Sequence, residues 1–164
     1  MASGPDAAFE KAEPVLDAIA AKVHRLGPEI GTGSTVKTVN QLLAGVHIAA
    51  AAEAMALGIR AGADPRALYE VISGAAGSSW MFQNRVPHIL AGDYAPLSAV
   101  NIFVKDLGIV LDTGRTLRFP LPLTATAHQQ FLAAAAAGLG GEDDSAVVKV
   151  FQKLAGIELP GDDG

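Results

Sequence analysis

Apolar residues recur at helical spacing along most of this 164-residue chain, and glycines and prolines punctuate the pattern. Phe9, Ala12, Leu16 and Ile19 share one face of a helix opened by Pro5 and Asp6, and Pro14 inside it predicts a kink or a split. Lys22-Val23-His24-Arg25-Leu26 then alternates polar and apolar residues before Gly27-Pro28, the period of a strand closed by a turn. A strand needs neighbours to take its hydrogen bonds, so residues 1–29 read as the tail of an α/β domain, a remnant of something larger.

After Gly31-Thr32-Gly33, Ser34 stands where it can cap a helix that meets no proline before Arg60 and Gly62, about 40 Å at about 1.5 Å per residue. Val39, Leu42, Leu43, Val46, Ala50, Met55, Leu57 and Ile59 spread apolar surface nearly all round it, with Glu53 among them. This predicts one continuous central helix over 34–60, buried on most sides. Asp64 with Pro65 starts the next helix, which carries Leu68, Val71 and Ile72. A Gly/Ser break at 73–79, a short helix at 79–90, a loop at 92–98 and a helix at 99–117 follow. Phe119-Pro120-Leu121-Pro122 is a stop, a further helix covers 123–137, and Asp143-Asp144 opens a last one to Leu154 after the glycines at 138–141. Residues 160–164 read as a frayed tail, and the domain proper as 30–159.

Composition turns this pattern into a fold class. About one residue in five is alanine and aromatics are only 5%, which favours closely packed helices over sheets. The expectation is an all-α domain preceded by a short α/β remnant. Alanine-rich cores bury little area per residue, so burial against a partner would add stability. The hydrophobic class makes up 50% of the chain and charged residues 18%, which excludes a disordered chain. Twelve Lys+Arg against 17 Asp+Glu leave a net charge of −5 and no basic surface for a nucleic-acid backbone. With no cysteine, thiol nucleophiles, disulfides and cysteine zinc sites are excluded. The apolar run from Ala49 to Leu57 is broken by Glu53 and is shorter than the roughly 20 residues of a membrane span. The start, MASGPDAAFEKAEP, lacks the basic and apolar regions of a signal peptide, so a cytoplasmic protein is expected.

Two places carry candidate chemistry. Lys37, Asn40 and Gln41, at i, i+3 and i+4, put an ammonium and two carboxamides on one face of the central helix near its start. Amides can grip a hydroxyl or carboxylate while the amine moves a proton. Spacing alone leaves open a solvated lysine beside a capping or packing asparagine. The second place is Lys105-Asp106, a charged pair among Ile102, Phe103, Leu107 and Ile109, which an amphipathic helix with a polar edge also explains. Trp80, Met81 and Phe82 read as core packing, with a pocket mouth or interface as the other option. Histidines 24, 47, 88 and 128 are dispersed, so no metal is expected.

Three longer stretches belong together: GTGSTVKTVNQ opening the long helix, AAAEAMALGIRAGADPRALYEVISG after it, and VKDLGIVLDTGR beyond that. They resemble the C-terminal domain of the β-hydroxyacid dehydrogenase family, which includes 3-hydroxyisobutyrate dehydrogenase and 6-phosphogluconate dehydrogenase relatives, and within it the L-threonate dehydrogenase group. The resemblance covers about 31–159. It implies a 6-phosphogluconate dehydrogenase C-terminal-like helical fold, NAD or NADP as cofactor, a small hydroxy acid as substrate, and a homodimer or higher homo-oligomer. It implies Lys37 as general acid and base, Asn40 and Gln41 as substrate-binding amides, and Lys105 with Asp106 at the cofactor. Gln41 stands where many members have a second asparagine. The family mechanism implies that Lys37 and Lys105 serve one nicotinamide, and that turnover needs the nucleotide-binding domain of which residues 1–29 resemble the end. The other reading is a non-catalytic all-α oligomerisation or binding module that keeps the dehydrogenase fold.

Overall fold

A computed structural model describes residues 1–161 of the chain, which forms two compact units, residues 1–41 and residues 42–164. In the first, α1 (Asp6–Ile19) packs through Phe9, over whose ring the Arg25 guanidinium sits at 4.7 Å. Pro14 does not split α1, which runs unbroken past it. The ring removes only the N–H that would have reached the Glu10 carbonyl, and Glu10 is exposed, so water can take that place. The alternating segment after α1 is not an extended strand among the described residues. It makes one parallel bridge, Ala2 with Arg25, in which Ala2 N–H donates to the His24 carbonyl at 2.9 Å and Leu26 N–H to Ala2 at 2.8 Å.

Helix α2 spans Thr32–Arg60 without interruption. It begins two residues earlier than Ser34, which lies inside the helix, its main-chain carbonyl accepting from the Thr38 hydroxyl. Thr32 and Thr35 hydroxyls satisfy the carbonyls of Glu29 and Gly31, and the Ser3 hydroxyl accepts from Gly33 N–H at 3.0 Å, so the first turn finds its partners elsewhere.

The second unit contains the rest of α2 with α3 (Pro65–Ser73), α4 (Trp80–Ala91), α5 (Val100–Leu117), α6 (Pro122–Ala134) and α7 (Val148–Ala155). Asp64 and Ser79 cap α3 and α4, accepting from Ala67 and Phe82 N–H at 2.8 and 3.0 Å. Pro87 inside α4 strips the Gln83 carbonyl of its helical donor, and the Tyr69 hydroxyl of α3 supplies one at 3.1 Å. After α6 a π-type turn over Ala135–Leu139 leaves helical geometry at Gly138, whose φ of +89° suits glycine, and the sixth helix itself stops at Ala134, short of residue 137. A 3-10 turn, Asp144–Val147, leads into α7.

The core is a stripe of α2, with Ala44, Ile48, Ala52 and Ala56, facing Phe103 and Leu107 of α5, Phe131 of α6, and Val147 and Val148. The rings of Phe103 and Phe131 stack at 5.2 Å. A smaller cluster joins Met55 and Ala51 to Phe82, Val86 and Leu90 of α4. Two glycines set the spacing of α2: a Cβ on Gly45 would lie 2.7 Å from Leu107, and one on Gly58 would meet the Leu68 side chain. Helix α2 is therefore buried along one stripe and not on most sides, since Leu43 is 49% and Leu57 69% exposed. By length and composition α2 is also apolar enough to cross a membrane, which the interrupted run at 49–57 did not suggest; its buried stripe accounts for much of that apolarity. The tail is not frayed at its start, because Gly161 packs on Gly92, where a Cβ would come within 2.9 Å; its last three residues, 162–164, lie outside the described residues.

Candidate active site

Near the start of α2, the Lys37 ammonium donates to Gln41 Oε1 at 2.8 Å, and Asn40 Nδ2 donates to the same oxygen at 3.0 Å. One carboxamide oxygen thus gathers an amine and an amide that lie four residues and one residue away on the same helix. Lys37 and Asn40 are exposed and Gln41 is half-buried. Lys37 keeps two further N–H donors and Asn40 a carbonyl acceptor, a set suited to a ligand bearing both hydroxyl and carboxylate groups.

On α5, the buried face is Val100, Phe103, Leu107, Val110 and Gly114, and Lys105 falls outside it with 67% of its side chain exposed. Its ammonium lies 2.8 Å from Asp106 Oδ1, whose side chain is only 13% exposed. The preceding turn is held from α6, where His128 Nε2 lies 2.9 Å from the Val104 carbonyl. Trp80, 71% exposed, is not part of the core, whereas its neighbour Phe82 is. Among the described residues no group of three or more His, Asp or Glu side chains is placed to hold a metal ion.

Sequence reasoning missed a buried polar clasp. Arg85 of α4 forks onto Asp144, Nε to Oδ1 at 2.6 Å and Nη2 to Oδ2 at 3.1 Å, and its Nη1 donates to Asn84. Asp143 beside it caps the following turn, accepting from Ser145 N–H at 3.1 Å, Ser145 O–H at 2.6 Å and Leu97 N–H at 3.1 Å. Burial alone would push Asp143 up, but these donors and the nearby Arg85 charge outweigh it and hold the carboxyl below its ordinary value. Asp144 goes the other way: burial raises it, against the opposing Arg85 hydrogen bond and charge, and the neighbouring Asp143 charge adds to the rise. A signal was available, since Arg85 sits three residues after Phe82 and four before Ile89, on the core face of its helix.

With this geometry in view, comparison with known proteins is direct. The family model described as NAD-binding of NADP-dependent 3-hydroxyisobutyrate dehydrogenase matches residues 31–151. The chain is 70% identical over 161 residues to the L-threonate dehydrogenase of Cupriavidus necator, covering 98% of this chain and 53% of that one. The crystal structure of a 3-hydroxyisobutyrate dehydrogenase from Salmonella typhimurium is 61% identical and superposes with a TM-score of 0.87, covering 92% of this chain and 53% of that one. The Mycobacterium tuberculosis 3-hydroxyisobutyrate dehydrogenase, solved with L-serine, is 28% identical with a TM-score of 0.83 over the same shares. The helical fold is that of the 3-hydroxyisobutyrate dehydrogenases. The chain belongs to the β-hydroxyacid dehydrogenase family, in its NAD-binding domain of the NADP-dependent 3-hydroxyisobutyrate dehydrogenase type. It spans about half the length of the curated relatives it matches.

Proposed function

We propose that this chain is the helical substrate-binding and dimerisation part of a cytoplasmic NAD(P)-dependent dehydrogenase acting on a small hydroxy acid of the threonate type. The observation that carries the reading is the joining of Lys37 and Asn40 through Gln41 Oε1 on an exposed helix face, in a chain of this family. Residues 1–29 would be the end of the nucleotide-binding domain and residues 30–159 the helical domain, which associates with a second copy.

Oxidation of a secondary alcohol removes the O–H proton as the C–H hydride leaves. Lys37 is the group assigned to take that proton, and in the reverse direction to return it. Asn40 and Gln41 orient the substrate through its hydroxyl and carboxylate oxygens. The exposed Lys105 ammonium and its partner Asp106 suit the polar groups of a nicotinamide nucleotide, which when bound supplies the hydride acceptor. Lys37 is exposed among the described residues, so the dry surroundings a lysine base needs are to be supplied by closure of a nucleotide-binding part over it. Turnover therefore depends on that part.

The test supplies this chain with the nucleotide-binding half of its Cupriavidus necator relative and follows NAD(P)-dependent oxidation of L-threonate and 3-hydroxyisobutyrate. Lys37→Ala is expected to lower kcat by roughly 100-fold with little change in KM, the scale for losing a general acid or base. Near-normal turnover in Lys37→Ala removes the catalytic assignment.

A further inference from the structure

Within the second unit, a groove of about 480 Å³ lies between α2 and the turn that joins α3 to α4. Ala50, Ala51 and Ala54 follow His47 at i+3, i+4 and i+7, so this stripe of α2 presents three side chains too short to fill the gap and one imidazole. The opposite wall is formed by Ile72, Ser78, Ser79 and Phe82.

The polar groups of this groove are short of acceptors. The His47 ring is half-buried and hydrogen-bonds nothing among the described residues. Ser78 Oγ already accepts from Gln83 Nε2 and Ser79 Oγ from Phe82 N–H, both at 3.0 Å, and neither hydroxyl proton has an acceptor among the described residues. An imidazole carries at least one N–H in either protonation state, so three donors line the groove, and no Asp or Glu does. Half-buried donors left unpaired cost free energy that the oxygens of a ligand recover. A carboxylate, which only accepts, is their complement, and Ile72, Phe82 and the alanines suit a short hydrocarbon body behind it. We propose that this groove binds a small monocarboxylic acid, with its carboxylate at His47, Ser78 and Ser79 and its carbon chain against Ile72 and Phe82. None of Lys37, Asn40, Gln41, Lys105 and Asp106 lines it, so the site stands or falls separately from the function proposed above.

Butyrate is the probe. Titrated into the isotope-labelled chain and followed by two-dimensional NMR, it is expected to shift the His47 ring and the Ser78 and Ser79 amides saturably, with a Kd of about 1–10 mM, the scale for so small a ligand. Butyramide, alike in shape and uncharged, is expected to bind about tenfold more weakly or worse. His47→Leu, which has no donor, is expected to weaken butyrate by about tenfold or more, and His47→Gln, which keeps an N–H, to retain most of the binding, both with unchanged helical circular dichroism. Ser78→Ala, with an expected loss of about three- to tenfold, serves where a His47 variant fails to fold. No saturable shift up to about 100 mM butyrate overturns the site, as does butyramide that binds as tightly, or His47→Leu and Ser78→Ala variants that bind like the parent. Shifts confined to residues 37–41 overturn the groove as the site and leave the Lys37 reading in place.

Discussion

The Lys37 set and the Arg85 clasp are made of the same kinds of side chain and are built in opposite ways. Around Lys37 an ammonium and an amide share one acceptor at a water-facing helix surface, with further donors of the lysine turned outward. Around Arg85 the guanidinium, two carboxylates, a hydroxyl and two backbone amides use one another up in a space where Asp143 and Asp144 are both 0% exposed. The first arrangement costs the fold little and leaves chemistry available; the second fixes α4, the 92–98 loop and the start of the last helices relative to one another. Polar groups buried and satisfied specify structure, and polar groups exposed and half-satisfied are the ones placed to act on something else.

The largest effect expected from this contrast is in Arg85→Ala. It leaves Asp144 buried without its counter-charge and should cost about 3–5 kcal/mol, read as a lowered urea midpoint at unchanged slope. Replacing both partners together, Arg85→Met with Asp144→Leu, should recover much of that loss, because most of it comes from the stranded charge. A cost under about 1 kcal/mol for Arg85→Ala would place the clasp on the same footing as a surface pair and break the contrast.

Next in size is Asp143→Asn. Three donors face this carboxylate, and an amide nitrogen put among them opposes at least one, for a cost of about 1–3 kcal/mol near neutral pH. The folded-state value of Asp143 lies below the ordinary 3.8, so its contribution is present above that value and is lost as the pH falls through the lower folded one. Thermal midpoints of the parent and Asp143→Asn should therefore converge as the pH is taken down from about 5 to below 3.8, and because the Asp143 charge also raises Asp144, the same comparison in an Asp144→Asn background isolates the Asp143 part. A gap that stays constant over that range would show that the carboxylate is not held ionised by its donors.

Much of the fold was legible because it is written in local chemistry. Asp64 and Ser79 announce helix starts by side-chain oxygen three residues ahead of an orphan N–H, and the prolines up to Pro122 separate α5 from α6. The Lys37 spacing was equally local, since residues four apart on one helix must be neighbours. What escaped depends on distant partners. Pro14 was read as a kink or a split because its lost hydrogen bond is visible in sequence, while the solvent exposure that lets the helix run on past it is not. The near all-round apolar pattern of α2 could not reveal that its neighbours cover one stripe and leave Leu43 and Leu57 outside. Arg85 and Asp144 are 59 residues apart, and although the spacing puts Arg85 on a core face, nothing local names its partner.

The smallest expected effect on stability belongs to the other half of the contrast, and it is the most diagnostic. Lys37→Ala removes one exposed hydrogen bond to Gln41, and Gln41→Ala removes the acceptor that Lys37 and Asn40 share; each should change the unfolding free energy by no more than about 0.5 kcal/mol. Helix propensity pulls the same way, since alanine is the best helix former and replaces what is lost. On the proposed function, this set serves chemistry and contributes little to folding. Urea denaturation of both variants beside the parent checks this. A loss above about 1 kcal/mol in either would mean that the amine and amides brace the start of α2, and the pairing of exposed function with buried structure would then fail at its functional end.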